Sequence, residues 1–284
     1  MYNIVQKRHW YYLFSTLVII PGIVAMVYST IEYGTPVRLG VDFESGSRFV
    51  LRLEAAASED AVRNVFEQYG FNNPNVTRLG DSSDNTWQVR TKFVEADIAE
   101  EIIAQLSEEV APVDKAASSV DSVSPAISKE VTRSAAIAVT IAAVVILLFI
   151  WWAFRRVPNS FRYGVCAIGA MFHDISVTMG FMSIMGLLLG WEADALFLTA
   201  MLTVIGFSVQ DTIVVFDRIR ENIPKRRGES FETIANRSLL ETMHRSLATQ
   251  LAAIFVMVSI LLFGGESIKQ FIAVLLVGLL SGTY

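Results

Sequence analysis

The chain has 284 residues, of which 53% are hydrophobic and 18% are charged, and its mean hydropathy is +0.46. These values exclude an ordinary soluble protein of this length and indicate a membrane protein. The single cysteine, Cys166, excludes an internal disulfide framework and a C-x-x-C metal or redox motif. The formal net charge of −5 gives no reason to expect nucleic acid as a partner.

Six apolar segments predict six transmembrane helices, at residues 11–31, 134–154, 163–189, 195–216, 246–263 and 268–284. A helix needs about 20 residues to cross about 30 Å of hydrocarbon. The first segment is too long for a signal-peptide core and no small-residue cleavage site follows it, so we expect it to be retained. The last segment reaches only about 24 Å from Lys269 onward, and we therefore expect the chain to stop short of its natural end.

Lysine and arginine are concentrated in alternate loops, and this bias predicts the orientation. Basic residues precede the first segment, separate the second from the third and separate the fourth from the fifth: Lys7, Arg8, Arg155, Arg156, Arg162, Arg218, Arg220, Lys225, Arg226, Arg227 and Arg237. The loops at 190–194 and 264–267 contain none. We therefore predict cytoplasmic N- and C-termini, with residues 1–10 as a cytoplasmic N-terminus and 217–241 as a cytoplasmic loop.

Residues 32–132 are then extracytoplasmic, and their sequence predicts a small folded domain with 18 acidic and 9 basic residues. Alternation of apolar and polar residues predicts strands at 37–43, 48–53, 75–79, 86–92 and 117–123. Helical spacing and a capping serine predict helices at 58–69 and 95–110. In the second helix, the residues expected to face inward are Ile98, Ile102, Ile103 and Leu106. This β-α-β-β-α-β order predicts a ferredoxin-like α+β domain. The predicted fold class is a membrane α-helical protein of six transmembrane helices, with this domain between the first two helices and residues 133–284 carrying the other five.

Asp211 lies in the otherwise apolar part of the segment 199–222. An ionised carboxylate there costs about 2.5 kcal/mol or more unless it has a partner or water, so its default interpretation is functional. The candidate partner is Arg245, because both residues lie toward the cytoplasmic ends of adjacent antiparallel segments. Ser208 and Thr249, each one turn away, are candidate hydrogen-bonding residues. In the alternative interpretation, Asp211 sits near the interface and reaches water, as does the long side chain of Arg245.

The pair suits proton coupling, because burial favours the protonated form of a carboxylate and a nearby cation favours the ionised form. Arginine stays charged, so Asp211 is the titrating member. Asp174 is the second acid in an apolar segment, and it is either a second relay site or a buried hydrogen-bonding residue. His173 is expected to point to a different face and, with no second histidine four residues away, makes no zinc pattern.

Charged residues at the end of the fourth segment predict support for the helix end and the loop. Asp217 and Arg218 lie about 9 Å beyond the intramembrane aspartate along a helix, which places them at the membrane surface. The basic cluster at 224–229 predicts contact with anionic membrane lipid. In the sixth segment Gly278 and Gly282 form a G-x-x-x-G helix-packing pattern.

Four stretches of the sequence are distinctive. The longest is SVQDTIVVFDRIREN at 208–222, and the others are GVDFESGS at 40–47, the His173–Asp174 pair, and ETMHRSLAT at 241–249. These stretches, the first most strongly, resemble the SecF family, whose members are the smaller membrane subunits of the SecD–SecF complex. The chain departs from the family pattern where Ser45, Ser124 and Ser128 replace expected glycines.

The resemblance implies a subunit of the Sec protein-export machinery in the bacterial plasma membrane. It implies that the chain pairs with SecD, the two halves forming a transporter of the resistance-nodulation-division type. The pair would use the proton gradient, without a cofactor, to help move and release secreted polypeptides that emerge from the SecYEG channel. On this interpretation the chain is not an enzyme, and Asp211, Arg245 and Asp174 are the candidates for proton transport.

Three alternatives stay open. Asp174 and Asp211 on successive segments resemble the dyad of an intramembrane aspartyl protease, although SVQD lacks the glycines of the G-x-G-D signature and a nearby arginine disfavours a shared proton. A proton-coupled small-molecule exporter of the same superfamily usually has two six-helix halves, whereas this chain has one. A passive scaffold whose acids only pack is the third alternative.

Overall fold

The computed structural model describes residues 3–71, 74–79, 85–155 and 160–283. The chain divides into two compact units. The smaller unit is Leu39–Ala136, and the larger unit combines Met1–Arg38 with Ile137–Tyr284.

The smaller unit is a four-stranded antiparallel sheet with two longer helices. In chain order it contains α2 (Val41–Glu44), β1 (Gly46–Arg52), α3 (Glu59–Gln68), β2 (Asn75–Leu79), β3 (Thr86–Thr91), α4 (Ala96–Glu109) and β4 (Ser119–Val123). The strand order is β2-β3-β1-β4, and every neighbouring pair is antiparallel. Phe49 of β1 and Phe66 of α3 meet in the core with ring centroids 5.0 Å apart, so sheet and helices share one apolar interior.

Local sequence signals explain these element boundaries. Ser58 accepts a hydrogen bond of 3.2 Å from the backbone N–H of Ala61 and caps α3. Gly70 follows α3 with φ +81°, a conformation that favours glycine.

Two expectations for this unit were wrong. Residues 37–43 do not form a strand, because the backbone N–H of Glu44 bonds to the carbonyl of Gly40 at 3.1 Å and closes the helical turn α2. In α4, Ile98 is exposed and Ala99 takes the buried position, whereas Ile102 and Leu106 are buried and Ile103 packs against the core as predicted.

Six helices among the described residues have 18 residues or more: α1 (Arg8–Tyr33), α5 (Pro125–Phe154), α6 (Ser160–Leu189), α7 (Ala195–Lys225), α8 (Phe231–Phe263) and α9 (Glu266–Thr283). Among the described residues, five of them are long and apolar enough to cross a membrane, and the apolar part of α9, Ile268–Thr283, is shorter. With 31 and 33 residues, α7 and α8 are about 46 and 50 Å long, so both exceed the bilayer core. Most of the segment predicted as the loop 217–241 is therefore helical.

Several helices of the larger unit leave apolar faces uncovered. Leu17 of α1, Trp151 of α5 and Phe255 of α8 are exposed and large. In a protein with several membrane-spanning helices, lipid or another apolar helix covers such faces.

Candidate functional site

Asp211 lies half-buried on α7 and binds a side chain of α8. The Gln250 amide N–H₂ group donates a hydrogen bond of 2.6 Å to its Oδ2 atom. Gln250 is buried, and so is Ser208, which lies one turn before Asp211. A hydrogen bond to an ionised acceptor is stronger than one between neutral groups, so this bond is a strong link between α7 and α8 when Asp211 is ionised.

The direct contact between Asp211 and Arg245 that we expected is absent. Arg245 is exposed. It precedes Gln250 by five residues on α8, which turns it about 140° away around the helix. Because Gln250 faces Asp211, Arg245 faces elsewhere. The sequence spacing could not give the rotation of α8 or show that Gln250 is the residue opposite Asp211.

Asp174 is held by side chains from two helices. Ser281 of α9 donates a hydrogen bond of 2.7 Å to Asp174 Oδ1. His173 Nδ1 lies 3.0 Å from the same oxygen. The expectation that His173 points to a different face was therefore wrong. The side chain of Asp174 is 6% exposed and that of His173 is 24% exposed, so the carboxylate is inside the bundle and the imidazole extends toward its surface.

Two glycines of α9 permit this arrangement. A Cβ atom built on Gly278 would lie 2.2 Å from Val204 and 3.1 Å from the Thr178 hydroxyl. A Cβ on Gly282 would lie 3.4 Å from Asp174 Oδ2 and 3.8 Å from the Ser208 Cα. The G-x-x-x-G pattern therefore lets α9 approach α6 and α7 at the depth of Asp174.

Ion pairs and a hydrogen bond from a side-chain amide join the end of α7 to α8 beyond the apolar core. Asp217 pairs with Arg220 at 2.6 Å. Arg218 pairs with Glu221 at 2.8 Å and with Glu241 of α8 at 2.6 Å. Asn222 also donates to Glu241, at 3.0 Å. Arg218 and Asn222 therefore bind α8, whereas Asp217 binds a residue of its own helix.

At the opposite end of the bundle, Arg38 and Glu192 form a buried ion pair that sequence reasoning missed. Their side chains are 11% and 1% exposed, with 3.4 Å between Nε and Oε1. The Ala193 N–H donates to the carbonyl of Arg38 at 2.7 Å, and Gln270 of α9 donates to the carbonyl of Glu192 at 2.6 Å. The signal in the sequence was an acidic residue in the short loop 190–194, which we used only for orientation.

The arrangement does not resemble a hydrolase. Ser281 and Asp174 both approach the same nitrogen of His173, Nδ1, whereas a Ser-His-Asp triad uses the two ring nitrogens separately. Asp174 binds Ser281 and Asp211 binds Gln250, so each carboxylate has a hydrogen-bond donor of its own. In the part of the chain that the structure describes, no group of three or more His, Cys, Asp or Glu side chains is placed to hold a metal ion.

Comparison with known proteins identifies relatives along the whole chain. The family described as "Protein export membrane protein SecD/SecF, C-terminal" matches residues 102–284. Protein translocase subunit SecF of Anaerolinea thermophila is 43% identical, the match covering 100% of this chain and 90% of the relative. SecF of Thermobaculum terrenum is 42% identical, and the match covers 100% of this chain and 90% of that relative.

Larger fused proteins match as well. Protein translocase subunit SecDF of Bacillus subtilis is 33% identical over 100% of this chain and 36% of its own length. The crystal structure of SecDF from Thermus thermophilus, described as a translocon-associated membrane protein, superposes with a TM-score of 0.80 at 27% identity. The match covers 100% of this chain and 37% of the solved chain, so this chain spans just over a third of the SecDF chain.

Proposed function

Because this chain belongs to the SecD/SecF family of protein export membrane proteins, we propose that it is a SecF-type subunit that couples the proton gradient to polypeptide export. In this proposal it pairs with a SecD-type half in the bacterial plasma membrane, next to the SecYEG channel. The pair helps to translocate and release secreted polypeptides. The relatives are named as translocase subunits, which supports a role in transport rather than catalysis.

The proposed pairing draws support from two observations. In the fused SecDF relative, the region like this chain is 36% of the protein, which leaves length for a second membrane half. The exposed apolar faces of α1, α5 and α8 are surfaces that an apolar helix could cover.

The observation that carries the proposal of proton coupling is the placement of two aspartates inside apolar helices. Asp211 receives a hydrogen bond from Gln250, and Asp174 receives one from Ser281. A carboxylate in such a place changes its interactions greatly when it gains a proton, because the neutral form no longer requires charge-stabilising partners. Proton binding can therefore shift the packing of α7 against α8 and of α6 against α9.

Arg245 remains a proposed contributor, acting through its field rather than through contact. The Arg245 side chain is exposed when this chain is considered without a partner. A partner half that covered it would reduce screening by water and strengthen its effect on Asp211. This requirement would make proton coupling depend on assembly.

The remaining assignments are also part of the proposal. The N- and C-termini are cytoplasmic, and the smaller unit is an extracytoplasmic ferredoxin-like domain, supported by its β-α-β-β-α-β order and the strand order β2-β3-β1-β4. Lys225 and Arg227 are the proposed lipid contacts, because Arg226 pairs with Glu229 at 3.1 Å. No cofactor is required, since the gradient supplies the energy.

The test is gradient-driven export in inverted membrane vesicles that contain this chain and its SecD-type partner. Asp211→Asn keeps the volume of the side chain and fixes its neutral state. It should abolish stimulation of export by the gradient and leave ATP-driven export in uncoupled vesicles unchanged. Asp217→Asn makes the same chemical change six residues later and should retain stimulation. Full stimulation in Asp211→Asn vesicles would contradict the proposal.

A further inference from the structure

The Asp174 carboxylate has an imidazole partner that comes from the adjacent position of its own helix. Consecutive residues of an α-helix point about 100° apart and do not normally face each other. His173 Nδ1 nevertheless lies 3.0 Å from Asp174 Oδ1. The two side chains converge on the side of α6 where Ser281 of α9 donates to the same oxygen at 2.7 Å.

The neighbours of Asp174 include polar side chains of α6 and α9. Asp174 Oδ1 binds His173 and Ser281, and a Cβ atom built on Gly282 would lie 3.4 Å from Oδ2. On α7, Ser208 lies beside Gly282, and Asp211 follows one turn further on. On α8, Gln250 binds Asp211, and Arg245 is exposed. His173 and Asp174 are therefore titratable groups in direct contact with each other.

We propose that His173 and Asp174 form a proton-transfer pair, in which the imidazole carries protons between the buried carboxylate and water at the interface of α6 with the proposed SecD-type partner. The proposal rests on the proton-coupled function proposed above and adds a second titrating group to it. The difference in burial supports this direction of transfer, since the imidazole is about four times as exposed as the carboxylate.

The transfer is balanced without rotation of the ring. In the loaded state, the proton is on Asp174 Oδ1, which donates to Nδ1 of a neutral imidazole protonated on Nε2. The carboxyl proton passes to Nδ1, and the Nε2 proton passes to a water molecule between α6 and the proposed SecD-type partner. The products are an Asp174 carboxylate, a neutral His173 protonated on Nδ1, and hydronium. The reverse steps reload the site, and Ser281 donates to Oδ1 while the carboxylate is charged.

A structural role for the hydrogen bond predicts different mutants. His173→Asn places an amide nitrogen near the position of Nδ1, so it can still donate to Asp174 but cannot relay a proton. His173→Phe removes both abilities. If the contact only orients Asp174, the asparagine variant behaves as the wild type. If His173 carries the proton, the two variants are equally defective.

The first experiment reads the proton directly. The chain has three histidines, and His9 and His244 are both exposed, so the variant His9→Gln/His244→Gln leaves His173 as the single imidazole. The full chain, labelled with ¹⁵N-histidine and ¹³C-aspartate, is studied by solid-state NMR with its partner in bilayers. We expect the imidazole nitrogens and one aspartate carboxyl signal to change over the same pH interval, as coupled sites do. Asp174→Asn should remove that carboxyl signal and alter the ¹⁵N titration. An unaltered ¹⁵N titration would overturn the proposal.

The second experiment measures gradient-stimulated export across a range of pH. A positioned acid–base group contributes about a hundredfold or more to a proton-transfer step, so we expect His173→Asn to lower stimulation by at least about tenfold and to flatten its pH profile. Wild-type stimulation in His173→Asn vesicles would refute the relay, while leaving the Asp211 test untouched. If the wild type itself shows no stimulation, the proposed function fails, and the NMR titration still decides whether the two residues share a proton.

Discussion

Gly22 of α1 and Gly180 of α6 face each other at the crossing of the two helices. A Cβ atom built on Gly22 would lie 2.8 Å from the Cα of Gly180, and one built on Gly180 would lie 2.7 Å from the Cα of Gly22. Membrane helices associate largely through close packing and hydrogen bonds, since lipid is as apolar as their side chains. The contact between these glycines therefore holds α1 on the bundle.

Gly180→Leu should separate α1 from α6. Overpacking at such a contact costs about 1–3 kcal/mol, so we expect a lower melting temperature of the purified chain in detergent. Gly169→Leu is the matched control, because a Cβ at Gly169 has no neighbour within 4 Å. Equal melting temperatures for the two variants would show that the glycine contact is not needed.

The Arg38–Glu192 pair should behave as a buried ion pair. Removing one partner of such a pair costs about 3–5 kcal/mol, whereas replacing both by apolar residues is often close to neutral. We therefore expect Glu192→Ala to destabilise the chain more than the double variant Arg38→Met/Glu192→Leu, as measured by chemical denaturation in detergent. Glu232→Ala is the control, because its pair with Arg8 is exposed and worth about 0–1 kcal/mol. A double variant that is less stable to denaturation than Glu192→Ala would contradict this account.

Ser45 occupies a backbone conformation that suits glycine. Its φ of 63° and ψ of 166° lie in a region almost restricted to glycine, where another residue costs about 1–3 kcal/mol. Ser45→Gly should relieve this strain, offset by the greater freedom of glycine in the unfolded chain, and stabilise the smaller unit by about 1 kcal/mol. Slower hydrogen exchange in peptides covering β1 and β4 measures the effect. Ser45→Ala keeps a Cβ atom and should bring no gain, so equal protection in both variants would argue against strain.

Local features of the fold were predictable because they depend on neighbouring residues. The cap at Ser58, the strand at Asn75–Leu79 and the apolar helices follow from short-range spacing. The sequence also showed that Ser45 replaces a glycine expected from the family pattern. In the structure this residue has the positive φ that glycine adopts most easily.

The partners of the buried charges were not predictable in the same way. Gln250 binds Asp211 because of the rotation of α8, and Glu192 meets Arg38 across 154 positions of sequence. His173 reaches Asp174 by side-chain rotation at a contact with α9. Each of these depends on tertiary placement, which a single sequence does not encode in its spacing.

The predicted orientation is testable with single cysteines at two exposed positions, Asp97 and Gly228. The background is Cys166→Ala, because Cys166 is the single native cysteine and is exposed. The basic residues around position 228 predict that it is cytoplasmic. We expect an impermeant maleimide to label Asp97→Cys but not Gly228→Cys in spheroplasts, and to label both after permeabilisation. The opposite pattern before permeabilisation would invert the topology.

The bond between Gln250 and Asp211 should matter both for stability and for proton coupling. A hydrogen bond to a charged group contributes about 1.5–3 kcal/mol, and Gln250→Leu removes it with little change in volume. We expect this variant to lose stability and to lower gradient-stimulated export, since it leaves the carboxylate without its donor. In an Asp211→Leu background, the same substitution should cost less, and the difference measures the coupling between the two side chains. Gln210→Leu is the control, because Gln210 adjoins Asp211 in sequence but is exposed. If Gln250→Leu has the same effect in both backgrounds, Gln250 stabilises α8 without acting on Asp211, and the control of the carboxylate must then come from Arg245 or from the partner half.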